Sequence, residues 1–261
     1  MKKRFFAGIV LSALLALTTF GARAEDTVRF GVAAEPYPPF TSKDASGKWV
    51  GFEVDLMDAV CAEMKAKCEI VEVAWDGIIP ALQAKKFDVI WSSMSITEKR
   101  MQTIDFTDFY YRTPAVMVGA KSATFNIDYQ NPDSLKGKII GVQTSTIHAQ
   151  FVQKYFGSSA TVKIYDTQDN VNADLVAGRI DLDMADSVAL ADFLKTDQGK
   201  DYEVKWTAPK DPIFGIGVGG GILKENTELK GKLNMALAAI HANGKYDAIA
   251  KKYFDFNVYG N

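Results

Sequence analysis

Apolar residues recur along this chain with two periods, and segments of the two kinds alternate. Residues 27–32 are β-branched and aromatic, as a short strand requires. Pro36, Pro38 and Pro39 then force a loop. Between residues 53 and 67 the apolar positions Val54, Met57, Val60, Cys61 and Met64 fall on one helical stripe. Residues 69–74 read as a strand, 76–85 as a helix and 87–91 as a buried strand. The alternation continues to Leu194, and residues 225–254 are mostly helical with a break at Asn243-Gly244. This order predicts an α/β fold whose layers are built on parallel sheets.

A short motif occurs twice. Leu82-Gln83-Ala84-Lys85-Lys86-Phe87-Asp88 is followed, five residues after its Asp, by Ser93; Leu175-Val176-Ala177-Gly178-Arg179-Ile180-Asp181 is followed at the same distance by Asp186. Each copy reads as a helix end, a tight turn and a strand that delivers a polar residue at its C-terminal end. Gly31-Val32 and Gly141-Val142 each close an earlier strand. The pattern predicts two lobes of similar topology. Ligands of open α/β sheets sit outside the carboxyl ends of the strands, so two lobes facing each other make a cleft.

The N-terminus carries Lys2, Lys3 and Arg4, then an apolar run to Leu17, then Ala22-Arg23-Ala24. That is the layout of a cleavable secretory signal over residues 1–24, and its apolar run is short of the ~20 residues of a spanning helix. Cleavage removes Lys2, Lys3, Arg4 and Arg23 and no acid, so the net charge moves from −2 for the full chain to about −6. An acidic mature chain disfavours a nucleic-acid partner. The chain has two cysteines, Cys61 and Cys68, and two histidines, His148 and His241, far from them in sequence. A zinc site is therefore not expected, and neither is any other cofactor. In an oxidising compartment the cysteines are expected to pair; the alternative is two buried thiols.

Ser92-Ser93-Met94-Ser95-Ile96-Thr97-Glu98-Lys99-Arg100 is the stretch richest in candidate chemistry. Ser95 and Glu98 fit a capping box, so a helix is expected to start there. Its free N–H groups would suit a carboxylate, and Arg100, one turn in, could fork onto the same group. The local alternative is a simple cap with a surface arginine. Asp186, at a strand-to-helix junction, is either an N-cap or the acceptor for a ligand ammonium, with Asp181 and Asp183 as rivals. Trp75 packs or stacks on a ligand. Tyr37 is held rigid among prolines, and Thr144-Ser145-Thr146 opens a helix in the second lobe.

Over its whole mature length the chain resembles the periplasmic polar amino-acid-binding proteins of ABC importers, and in particular the lysine/arginine/ornithine- and histidine-binding group of family 3 solute-binding proteins. The residues that carry the resemblance are Tyr37-Pro38-Pro39-Phe40, Gly51-Phe52-Glu53-Val54-Asp55-Leu56, the stretch from Ser92 to Arg100, Ala177-Gly178-Arg179-Ile180-Asp181 and Lys252-Tyr253-Phe254-Asp255-Phe256. Trp75-Asp76-Gly77-Ile78-Ile79-Pro80 is also similar to binders of opines and basic ligands.

The resemblance implies a two-lobed type II periplasmic-binding-protein fold. Lobe one would span residues 25–113 plus 213–261 and lobe two 114–212, joined by hinge strands near 111–114 and 211–215. It implies a monomer that captures arginine, ornithine, lysine or histidine in the periplasm and delivers it to an inner-membrane permease. Arg100 would hold the α-carboxylate with Ser95 and the N–H groups near Thr146 and Ile147. Asp186 would take the α-ammonium, assisted by the Ser93 and Met94 region. Tyr37 and Trp75 would sandwich the side chain, Ser92 would lie near its distal end, and Cys61 and Cys68 match the family's disulfide.

Two departures bear on the side chain of the ligand. Where the resembled binders of basic amino acids have an acidic residue three positions before the Tyr that matches Tyr37, this chain has Ala34, with Glu35 beside it, and Ile147 followed by His148 stands where they have a hydroxyl-bearing residue. Glu35 or Asp183 would have to stand in for the missing acid; otherwise an opine or a neutral ligand such as glutamine becomes the alternative. The fold also hosts a dehydratase acting on a cyclic amino-acid precursor. Catalysis would need a poised Glu35, His148 or Asp183, but no nucleophile–base pair or phosphate loop is spaced for it, and the chain is expected not to be an enzyme.

Overall fold

The computed structural model describes residues 27–260; the leader expected over residues 1–24 lies outside them. β1 (Thr27–Ala33) comes first, then the small hairpin of β2 (Ser42–Lys43) and β3 (Trp49–Val50). Next are α1 (Phe52–Met64), β4 (Lys67–Val73), α2 (Ile78–Gln83) and β5 (Val89–Ile90). α3 (Glu98–Met101), a single turn, leads into β6 (Asp105–Tyr111). The chain then builds β7 (Ala115–Ala120), β8 (Ile139–Gln143), α4 (Ile147–Tyr155), β9 (Thr161–Tyr165), α5 (Gln168–Val176), β10 (Leu182–Asp186), α6 (Ser187–Leu194) and β11 (Tyr202–Thr207). It ends with β12 (Val218–Ile222), α7 (Thr227–Ala242) and α8 (Lys245–Ala250), the two helices parting at Asn243-Gly244 as expected.

Two five-stranded sheets result, in the orders β4-β1-β5-β12-β6 and β11-β7-β10-β8-β9. They are mixed rather than parallel. β1 runs parallel to β4 and β5, and β8 to β9 and β10, but β12 is antiparallel to β5 and β6, and β7 to β10 and β11. The parallel pairs are those joined through helices. The antiparallel strands are those through which the chain passes between the sheets, after Tyr111 and before Val218. The second passage carries a 3-10 turn, Pro212–Phe214, where a hinge strand was expected. α1 stops at Met64, short of the expected residue 67, because Lys65 turns left-handed (φ 53°) and its N–H and that of Ala66 close on the carbonyls of Ala62 and Cys61.

The repeated motif has the same geometry in both sheets. Lys85 and Gly178 both take a positive φ (58° and 66°), and their N–H groups bond Leu82 O and Leu175 O. Asp88 and Asp181 then accept the N–H of Arg29 and Ile139, each at 2.8 Å, tying β5 to β1 and β10 to β8, the strands with which they pair in parallel. Asp181 is thereby a structural residue and not a rival to Asp186. A β-carbon on Gly31 would lie 2.4 Å from the Phe87 ring, and one on Gly141 would lie 2.5 Å from Ile180 Cδ1; Phe87 and Ile180 are corresponding positions of the motif. Gly31→Ala is expected to cost about 1–3 kcal/mol by overpacking, read as a lower urea midpoint at constant slope. An unchanged midpoint would mean that the ring gives way freely.

Cys61 and Cys68 form a disulfide between the end of α1 and the start of β4, which excludes the reduced alternative. The first sheet is packed on one face by an aromatic core of Phe30, Phe40, Phe52, Trp91, Tyr110, Tyr111 and Tyr246, and on the other by Ile78, Leu82, Phe87 and Ile104. The carboxyl ends of β1, β5, β8 and β10 are left facing one cavity.

Candidate functional site

Both lobes contribute to that cavity. Its walls include Glu35, Tyr37, Trp75, Ser92, Ser93, Ser95 and Arg100 from around the first sheet, and Gln143, Thr146, Ile147, His148, Gln168 and Asp186 from around the second. Eleven of the twelve expected ligand residues are among them. The exception is Met94, whose side chain is buried in the core beneath the site with Ile96 and Phe106; only its neighbours face the cavity.

The helix at the serine-rich stretch begins later than a Ser95/Glu98 box would place it. Thr97 is the N-cap, its hydroxyl accepting the Arg100 N–H at 3.2 Å. Ser95 instead bridges to Val218, and Ile96 N–H bonds Gly217 O, so residues 95–96 continue the pairing of β5 with β12. Arg100 follows within the first turn, buried to 8% exposure. Its Nη1 donates to Ser95 O (3.0 Å) and its Nη2 to Ser145 O (3.1 Å). Burial lowers its pKa to about 10, against the pull of Asp186, so it remains a cation at neutral pH. Two of its five N–H donors are used, and three are left for a ligand anion. The surface-arginine reading fails.

Asp186 ends β10, and its carboxylate does not cap α6. It accepts the Tyr37 hydroxyl (2.8 Å) on one oxygen and the Thr113 hydroxyl (2.8 Å) on the other. His148 Nε2 lies 3.8 Å away and is buried without a hydrogen-bond partner. Burial lowers the His148 pKa, Asp186 opposes this and Arg100 adds to it, so the ring is neutral near pH 7. Trp75 spans the cavity, its Nε1 donating to Thr144 O (3.0 Å), while its backbone N–H is held by Glu35 (3.1 Å). Tyr37, Trp75 and Arg100 each bond across the cavity to the other sheet's residues, so the two halves are closed on each other.

The remaining side chains have defined neighbours. Ser92 Oγ accepts Ala33 N–H at 3.0 Å. Ser93 sits at φ 53°, its N–H and hydroxyl both donating to the buried Glu53 carboxylate, which also accepts the Tyr110 hydroxyl. The Thr146 hydroxyl is used up in capping α4 and bonding Gln143 O, which leaves only the backbone of this helix start free. Asp183 does not line the cavity. It lies fully buried behind Gln168, whose Nε2 donates to both its oxygens (3.0 and 2.9 Å), and burial lifts its pKa to about 7.

Sequence reasoning missed Glu53, Gln143 and Gln168. The two glutamines stand at the carboxyl ends of β8 and β9, the same rule that pointed to Ser93 and Asp186, and Gln168 follows the Thr167 cap of α5. Among the described residues no cluster of three or more His, Cys, Asp or Glu is placed to hold a metal.

Residues 28–256 match the model of the bacterial extracellular solute-binding proteins, family 3. The chain belongs to this family. It is 44% identical to the L-arginine-binding protein of Pseudomonas aeruginosa and 42% identical to the lysine/arginine/ornithine-binding periplasmic protein of Escherichia coli, in both cases across the whole of each chain. Among solved structures it is similar to an arginine-specific periplasmic binding protein of Salmonella typhimurium (TM-score 0.80, 33% identity, covering 88% of this chain and 99% of that one). It is equally similar to an ancestral arginine-binding protein bound to arginine (TM-score 0.80, 32% identity, covering 89% and 100%). The two-lobed type II architecture implied by the sequence is thereby shown, and the family is one of extracytoplasmic binding proteins that serve ABC importers.

Proposed function

We propose that this family member captures a basic amino acid in the periplasm by closing two lobes around it, and hands it to an ABC permease. The observation that carries this reading is the pair formed by Arg100 and Asp186, a buried cation and a half-buried carboxylate brought to one cavity from opposite lobes. An α-amino acid presents the complementary pair. Its carboxylate fits the three remaining Arg100 N–H donors, the Ser95 hydroxyl and the N–H groups that open α4. Its ammonium fits Asp186, each of whose oxygens has accepted a single hydroxyl. Hydrogen bonds to charged groups are worth roughly 1.5–3 kcal/mol each and must offset the cost of ordering the ligand and closing the lobes. Only the closed state makes both sets, so the ligand shifts the population toward it.

The same reading places lobe one at residues 25–113 plus 213–261 and lobe two at 114–212, in keeping with the division of strands between the sheets. It takes residues 1–24 as a cleaved leader and the mature protein as a monomer that binds without turnover. The relatives are named as binding proteins, which supports the last point.

A thermal-shift screen of ligand-stripped mature protein against the twenty amino acids, ornithine and citrulline tests this. A native-state ligand raises Tm with the logarithm of its excess over Kd. Basic amino acids are expected to give the largest shifts; a flat response to all of them would overturn the reading.

A further inference from the structure

The amide of Gln168 can point either end into the cavity, and its surroundings decide which. Asp183, fully buried in β10, lies 2.9–3.0 Å from Gln168 Nε2 with both oxygens, and Asn172 Oδ1 lies 3.1 Å from the same atom. The two carboxylate oxygens at one end of a primary amide identify it as the NH2 end, because a carbonyl there would meet a carboxylate lone pair to lone pair. Asp183 has no other hydrogen-bond donor among the described residues, and a buried carboxylate left without one is costly. While Asp183 is ionised the arrangement is therefore self-enforcing: Gln168 turns its nitrogen back to Asp183 and its carbonyl oxygen forward.

Gln143 repeats the device. Its Nε2 donates to Asp166 O at 3.1 Å, again turning the amide nitrogen away to the protein. Both glutamines line the cavity, and both are buried. Among the described residues neither Oε1 has a donor. From the first lobe, the Glu35 carboxylate also lines the cavity, with the Trp75 N–H as its partner. None of these three residues is needed for the Arg100 and Asp186 head-group contacts.

We propose that Asp183 acts from behind the wall as a positioning residue, and that Gln168, Gln143 and Glu35 form a set of acceptors that selects a guanidinium side chain over an ammonium. The inference depends on the reading of the cavity as an amino-acid site. A guanidinium carries five N–H donors in a plane and sheds water more readily than an ammonium, so it can engage separated acceptors at once. A compact ammonium reaches fewer of them and is strongly hydrated, so one carboxylate and two amide carbonyls compensate it poorly. The Trp75 ring, already within 5.7 Å of the Arg100 guanidinium, adds a face suited to a planar cation. A neutral urea keeps the donors but loses the charge that faces Glu35. Asp183 thus meets the need for a distal acid indirectly, by orienting Gln168.

Calorimetric titration of ligand-stripped protein at pH 8, where Asp183 is ionised, tests this with arginine, lysine, ornithine and citrulline. Wild type is expected to bind arginine at least about tenfold more tightly than lysine, ornithine or citrulline. Gln168→Leu and, separately, Asp183→Asn are expected to reduce the arginine-to-lysine ratio at least about fivefold while changing lysine affinity little. Gln143→Leu gives a second, independent reading of the ratio should either of those proteins fail to fold. Equal binding of lysine and arginine by wild type, or a loss shared equally by both ligands in the folded variants, would overturn the assignment. Binding of none of the four by wild type would instead overturn the underlying amino-acid reading.

Discussion

Titrated with basic amino acids, the Asp186→Ala and Arg100→Ala proteins are expected to bind roughly 30- to 5,000-fold more weakly than wild type. Removing one partner of a desolvated charge pair costs about 2–5 kcal/mol, because the ligand charge opposite is then buried without compensation. Asp186→Ala leaves the ligand ammonium facing a neutral His148 and the Tyr37 hydroxyl. Arg100→Ala leaves the carboxylate to the Ser95 hydroxyl and backbone N–H groups. Arg100→Lys keeps the charge but not the fork that spans Ser95 O and Ser145 O, and is expected to fall between. The ligand-free proteins should melt within a few degrees of wild type. Asp186 gives up only the hydroxyl bonds from Tyr37 and Thr113, and the loss of Arg100 removes a cation that burial already disfavours. Retained tight binding in both alanine variants would displace the head-group site from these residues.

What the sequence disclosed, and what it hid, follows from the range of the interactions involved. The repeated motif was visible because each copy is local: a helix end, a left-handed turn at Lys85 or Gly178 and an Asp at the start of the strand that follows. Cys61 and Cys68 were legible for the same reason, seven residues apart between a helix and a strand. The capping box at Ser95 misled because a partner more than a hundred residues away, Val218 of β12, draws Ser95 into the first sheet and leaves Thr97 to cap. The parallel sheets became mixed for a like reason, since β12 joins the first sheet only after the chain has built the second. The orientation of Gln168 could not be read from its neighbours in sequence, because it is set by Asp183 on β10 while Gln168 itself opens α5. Glu53 reads as an acid in the first turn of a helix, where solvent exposure is the ordinary outcome; the fold turns it inward.

That inward carboxylate carries the second large effect. Glu53 accepts the Ser93 N–H at 2.9 Å, the Ser93 hydroxyl at 2.9 Å and the Tyr110 hydroxyl at 2.6 Å, and it is fully buried. These bonds hold Ser93 in its left-handed conformation at the cavity wall. Glu53→Leu strands three donors, the buried Tyr110 hydroxyl and the half-buried Ser93 N–H and hydroxyl, at about 1–3 kcal/mol for each left unpaired; allowing for partial rearrangement and hydration of the Ser93 groups, about 3–5 kcal/mol of stability should be lost. Glu53→Gln keeps an acceptor and should be far milder, and comparing it with wild type isolates the charge. Burial pushes the Glu53 pKa up from 4.5 to about 6, with Asp186 adding to the rise and the three donors opposing burial. The native state therefore holds this proton more tightly than the unfolded chain does. The resulting stability is present in full below pH 4.5 and is lost as the pH rises through 6, the sense opposite to that of a salt-bridged carboxylate. At about 1.4 kcal/mol per unit, wild type should lose roughly 2 kcal/mol relative to Glu53→Gln between pH 4 and pH 7. Urea unfolding of the two proteins across that range measures it, and a pH-independent difference would show that the carboxylate titrates at its ordinary value and that the Ser93 and Tyr110 donors fully compensate its burial.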